Sequence, residues 1–147
     1  MVIVAVIGAG ECDAATGEIA YEVGQRLARA GCVVVNGGLG GVMEAASRGA
    51  AQAGGTVVGI LPGDRVEDAN PHVNVPIATG LGDARNAVIA NTADAFVAVG
   101  GSYGTLSEIA FALKRGKPVA GIGSWEVDPQ VRVVATPEEA VLHILPG

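Results

Sequence analysis

Short apolar runs rich in Val, Ile and Ala alternate along this chain with stretches whose apolar positions recur at helical spacing, and glycine stands at nearly every switch between the two. The runs Val2–Ile7, Cys32–Asn36, Thr56–Ile60, Val73–Ile77, Ala95–Val99 and Pro118–Ile122, with a weaker Val131–Val134, read as strands. Most are apolar throughout, so both of their faces must be covered. Between them, Ile19, Val23, Leu27 and Ala30 mark one helical face, and Val42, Ala46, Ala50 and Ala53 mark another. Further helices are predicted from about Asp83 to Ala93, from Thr105 to Arg115 and from Pro137 to about Leu145. Strand and helix in alternation, joined by right-handed crossovers, predict an α/β fold: a Rossmann-like open parallel sheet with helices on both faces. The 147 residues suit a single domain over 1–147. Leu61–His72, holding Pro62, Gly63 and Pro71, is the longest irregular stretch, either a plain connection or a flap over the site.

Composition narrows the function. Nine Lys and Arg against fifteen Asp and Glu give a net charge of −6, which argues against duplex DNA or a membrane surface as partner, since both require a basic face. Two Phe, two Tyr and one Trp make a poor platform for single-stranded nucleic acid. Only 16% of residues are charged and 23 are glycine, so small side chains dominate the interior. Cys12 and Cys32 lie in no redox or zinc pattern and read as idle thiols. His72 and His143 are far apart and carry no metal-ligand spacing, so no metal site is expected. The first apolar run is far shorter than the ~20 residues of a membrane span, and no basic segment precedes it. A soluble, cytoplasmic protein is expected.

In an open parallel sheet the ligand sits at the carboxyl edge, so the loops that follow strands carry the chemistry. Four are unusual: Gly8–Asp13, Gly37–Gly41, Ala78–Asn86 and Gly100–Thr105. Glycine backbone approaches a phosphate closely, and the helix that follows offers unpaired N–H groups and a positive dipole end. Gly8, Gly10, Gly38, Gly40, Gly41, Gly101, Ser102, Tyr103, Gly104 and Thr105 are therefore candidate phosphate-binding positions. The first loop has Asp13 where a dinucleotide motif has its third glycine, and the second lacks the Lys-Ser or Lys-Thr of a triphosphate loop. Glycine is also simply common at tight turns, although that explanation weakens when several such loops share one edge.

Thr105-Leu106-Ser107-Glu108 is compatible with a capping box in which Glu108 reaches back to the cap. It is equally compatible with Thr105 on a phosphate and Glu108 facing the cleft as base or nucleophile. Arg85 near the start of the third helix opposes the helix dipole and calls for an anion, whether Asp83, Glu108 or a ligand phosphate. Glu44 and Arg48, four apart, read as a solvated ion pair.

The segment Asp94–Glu108, reading DAFVAVGGSYGTLSE, resembles the signature of the LOG-like and molybdenum cofactor carrier superfamily. The stretch Gly37–Gly49, GGLGGVMEAASRG, is similar to that superfamily's second glycine-rich motif, and Arg85 stands in the place of its site arginine. Nearly the whole chain fits. The LOG signature PGGxGTxxE appears here with Gly100 for its Pro and Ser102 for its second Gly, and the Arg-Lys pair as Arg85-Asn86. With the phrase TGLGDARN at Thr79–Asn86, these departures look more like the cofactor-carrier branch. The resemblance implies a bound phosphorylated heterocycle, either molybdopterin (the molybdenum cofactor) or a nucleotide, with no resident cofactor required, and a homodimer or higher homo-oligomer through the third and fourth helices, where Ala84, Ala87, Ala90, Ala110 and Ala112 fit either close helix contact or tight packing on the sheet. The alternative it implies is a phosphoribohydrolase that splits a nucleoside 5'-monophosphate, N6-substituted AMP among them, into base and ribose 5-phosphate. In that case Glu108 and Arg85 are the catalytic pair, with Arg85 holding Glu108 ionised. The superfamily's older label, lysine decarboxylase, finds no support, because Lys114 and Lys117 fall at the far end of the fourth helix.

Overall fold

A computed structural model describes residues 1–145 and forms one seven-stranded sheet in the order β4-β3-β2-β1-β5-β6-β7. The strands are β1 (Ile3–Gly8), β2 (Val33–Asn36), β3 (Val57–Leu61), β4 (Val75–Ala78), β5 (Ala95–Val99), β6 (Val119–Ile122) and β7 (Val131–Val133). Every pairing is parallel, with register Val4 to Val34 on one side of β1 and Val4 to Ala95 on the other. The apolar runs therefore fold as the Rossmann-like α/β sheet that their pattern predicts, with bounds shifted by a residue or two.

Five helices cover the sheet: α1 (Ala14–Arg29), α2 (Val42–Gln52), α3 (Arg85–Thr92), α4 (Tyr103–Lys114) and α5 (Pro137–Ile144). One core cluster joins α1, α2 and α5 to the sheet through Val4, Val6, Val23, Leu27, Val97 and Ala140. The other joins α3 and α4 to the opposite face through Ala5, Ile7, Ile89, Phe96, Ile109 and Ala112. Strands on both sides of β1 advance in opposite directions, so the connections change face there and leave a crevice at the carboxyl ends of β1 and β5.

Two local features aim the elements at that crevice. Asp13 caps α1, its carboxylate accepting the Thr16 N–H at 2.8 Å, which is why an acid stands where a third loop glycine would otherwise be. At the opposite edge Asp94 exchanges bonds with Ile3, its Oδ2 accepting at 2.9 Å and its N–H donating at 2.7 Å, and so sets β5 beside β1. Among the described residues no helix is long and apolar enough to cross a membrane.

Candidate functional site

All four glycine-bearing loops lie at the carboxyl edge, and the first two are fused backbone to backbone. The Val42 N–H donates to Ala9 O at 3.0 Å. Gly41 takes φ +60°, and a Cβ there would lie 2.3 Å from Ala9 O. Gly8 admits the first residue of α2: a Cβ on it would meet Val42 at 2.6 Å and Val99 O at 2.6 Å. Gly38 is buried with Leu61 against it, whereas Gly10 is exposed and Gly40 partly so. Gly8, Gly38 and Gly41 thus use their missing side chains to close-pack the loops, and Gly10 and Gly40 present backbone to the crevice.

Two asparagines that the sequence reading did not single out hold the second loop. Asn36, fully buried at the end of β2, donates to Met43 O at 3.2 Å and Ser47 Oγ at 2.9 Å and accepts the Gly38 N–H at 2.8 Å. Asn70 donates through its backbone to Gly38 O at 2.8 Å and through its side chain to Leu39 O at 2.9 Å. The Leu61–His72 stretch is therefore tied to the second glycine loop, as a connection rather than a free flap. An apolar run ending in Asn before a glycine pair was the available signal for Asn36.

Gly101–Gly104 is exposed and leads into α4, which begins at Tyr103, two residues earlier than the spacing predicts. The cap is Ser102. Its backbone N–H donates to the Thr105 hydroxyl at 3.2 Å, so the reciprocal box is Ser102 with Thr105 and leaves Glu108 out of the cap. Glu108 lies in the second turn, 6% exposed. Burial pushes its carboxyl up to about 7, with the positive charge of Arg85 pulling the other way. Arg85 favours the ionised form, the direction expected of it, and desolvation, the larger effect, opposes it.

Arg85 opens α3 half-buried, its guanidinium against Gly37 and beside Glu108. The described ion pairs are Arg26–Glu22 and Arg65–Glu67, and neither Asp83 nor Glu108 comes within 4.0 Å of it. Burial lowers its pKa, while the charges of Glu108 and Asp83 act through space to raise it. Its neighbour Asn86 is buried, donating to Ser107 Oγ at 3.2 Å, and Ser107 donates to Gly104 O at 2.7 Å, a relay that braces the exposed loop.

Outside this edge, Arg48 sits 4.5 Å over the Tyr21 ring instead of pairing with Glu44. Cys12 is exposed in the first loop and Cys32 is buried. Lys117 donates to Ala90 O at 2.7 Å and Asn91 O at 3.1 Å, at the end of α3 away from the crevice.

The SLOG cluster4 family profile matches residues 1–144. The chain belongs to the SLOG cluster4 family. Among this member's relatives, an uncharacterized protein of Archaeoglobus fulgidus is 54% identical over 143 residues, 97% of this chain and 93% of that one. A probable cytokinin riboside 5'-monophosphate phosphoribohydrolase of Oryza sativa subsp. japonica is 37% identical over 93 residues, 61% of this chain and 38% of that protein. Among solved structures, the molybdenum cofactor binding protein of Rippkaea orientalis superposes with a TM-score of 0.90 at 37% identity, covering 95% of this chain and 93% of that one. The molybdenum cofactor carrier protein of Chlamydomonas reinhardtii superposes with a TM-score of 0.88 at 36% identity and the same coverage. The superfamily resemblance of the Asp94–Glu108 and Gly37–Gly49 motifs is thus a family relationship.

Proposed function

We propose that this SLOG cluster4 protein binds a phosphorylated heterocycle at the carboxyl edge of its sheet, in the manner of a cofactor carrier, with molybdopterin or a purine nucleotide as the cargo class. The observation that carries the reading is Arg85. A half-buried guanidinium that lies on the second glycine loop with no carboxylate within 4.0 Å, and that feels the charge of Glu108 on α4, is suited to bind an anion. In this reading the phosphate lies between Arg85 and the N–H groups of Gly101–Thr105, with backbone of Gly10 and Gly40 on its other side, while Gly8, Gly38 and Gly41 shape the loops that present it. The resemblance to cofactor carriers adds weight and also supports self-association through the α3–α4 side.

Glu108 favours a second reading. A buried carboxyl titrating near 7, excluded from the helix cap and beside an arginine, is the kind of group that catalysis exploits. In phosphoribohydrolysis it would stabilise positive charge at the anomeric carbon while water adds there and the base departs with a proton.

The test is incubation with nucleoside monophosphates, including N6-substituted AMP, and with a pterin phosphate, scoring binding by calorimetry and products by chromatography. Binding without product, lost in Arg85→Ala, is expected. Release of base and ribose 5-phosphate that disappears in Glu108→Gln would replace the carrier reading with the hydrolase.

A further inference from the structure

Trp125 is the single tryptophan of the chain and lies on the loop after β6, at the same carboxyl edge as the glycine loops. Its indole Nε1 donates to Ser102 O at 3.0 Å. Its ring stacks on Tyr103 with centroids 5.9 Å apart and planes inclined by 29°. The partners are the cap and the first residue of α4, so the indole is fixed to the start of that helix from two directions. Tyr103, 82% exposed, backs the indole from the solvent side.

Between these loops lies a cavity of about 220 Å³ lined by Gly100, Gly101, Gly123, Ser124 and Trp125. That is below the roughly 300–1,000 Å³ of sites that hold whole drug-sized ligands, and suits one ring system. Three of its five lining residues have no side chain, so the indole is the one large apolar group in the lining. Ser124 adds a polar mark: its Oγ is the one buried side-chain polar atom among the described residues without a hydrogen-bond partner. Strand order puts Trp125 on the β6 side of the Gly100–Thr105 loop and Arg85 on its β2 side, so the ring and the anion of one ligand have separate places.

We infer that Trp125, backed by Tyr103, is the platform on which the ligand's planar ring stacks, and that the protein selects phosphorylated compounds carrying a fused heteroaromatic ring over ring-less sugar phosphates. The inference rests on the anion-binding reading above and deepens it. Stacking tolerates different rings because each presents a π-face, so the platform serves a pterin or a purine alike. An aromatic pair locked before binding loses little rotamer freedom when the ligand arrives.

Because Trp125 is the single tryptophan of the chain, fluorescence excited selectively at the red edge of the indole band, where tyrosine does not absorb, reports on it alone. AMP, neopterin monophosphate and ribose 5-phosphate are titrated by calorimetry, and AMP and ribose 5-phosphate also by fluorescence. AMP is expected to change the emission saturably, and ribose 5-phosphate to leave it unchanged and bind at least about tenfold more weakly. Trp125→Ala lowers affinity for AMP and the pterin about tenfold more than it lowers that for ribose 5-phosphate, while Trp125→Phe keeps AMP affinity within about threefold of wild type. AMP binding that is lost in Arg85→Ala but unchanged in Trp125→Ala overturns the ring platform and leaves the anion site standing. Absence of binding by all three probes, or binding indifferent to Arg85→Ala, overturns the anion reading and this inference with it.

Discussion

The Arg85 guanidinium rests on the α-carbon of Gly37, so closely that a Cβ on Gly37 would lie 1.9 Å from Nη1 and 2.6 Å from Cζ. The first residue of α3 is thereby seated on the loop after β2, and the charge that opposes the α3 dipole is delivered to the crevice.

Gly37→Ala is expected to dislodge that guanidinium and to lower affinity for AMP at least about tenfold, towards the level of Arg85→Ala, because a charge-assisted hydrogen bond is lost. The added methyl meets the ends of the Arg85 and Met43 side chains, which move, so the melting temperature changes by only a few degrees. Calorimetry and a thermal melt on the same sample check both parts. Wild-type affinity in this variant would remove Arg85 from the anion site.

Glu108 makes stability depend on pH in an unusual direction. Its carboxyl titrates at about 7 in the folded protein against 4.5 as the ordinary value, so between these the folded state holds the extra proton. Stability is greatest below about 4.5 as far as this group is concerned, falls as pH rises through 7, and levels off above, by about 3 kcal/mol in all. Glu108→Gln, neutral throughout, is expected to flatten that slope and to exceed wild type above pH 7. Urea denaturation at pH 5, 6, 7 and 8 measures it, and parallel slopes for the two proteins would contradict the burial argument.

Asn36→Ala removes three buried hydrogen bonds and leaves Ser47 and the Gly38 N–H short of a partner. A loss of about 2–4 kcal/mol is expected from groups left unsatisfied in the interior. Amide exchange should rise most at Gly38 and the start of α2. Exchange confined to chain ends would show that the second loop does not depend on this side chain.

Gly41→Ala tests the fusion of the first two loops. The alanine is forced into φ +60° with its Cβ 2.3 Å from the Ala9 carbonyl oxygen, a backbone atom that cannot turn aside. The cost is about 2–4 kcal/mol, or roughly 5–15 °C in melting temperature, with AMP affinity reduced as well. A melt within two degrees of wild type would mean that the loops separate freely.

The strands were legible because runs such as Ala95–Val99 are buried on both faces and must be apolar at every position, a demand visible in one dimension. The spacing Thr105-x-x-Glu108 fits a capping box and so places the start of α4 too late, whereas Ser102 and Thr105 form the box and Glu108 is buried in the second turn. The Glu44–Arg48 spacing fitted an ion pair, yet the aromatic face of Tyr21, from another helix, took the arginine.

What the sequence by itself determined is the order of elements, the parallel sheet, the four loops at one edge and the presence there of Arg85, Thr105 and Glu108, since each follows from local periodicity and from the rule that such loops share the carboxyl edge. The tertiary structure alone decided which groups meet. Arg85 on Gly37, Trp125 on Ser102 and Tyr103, and Asn70 on the second loop join residues 22 to 48 positions apart. It also decided the direction in which the Glu108 carboxyl is shifted, because desolvation depends on how many neighbours surround a carboxyl in space, and no spacing along a chain encodes that count.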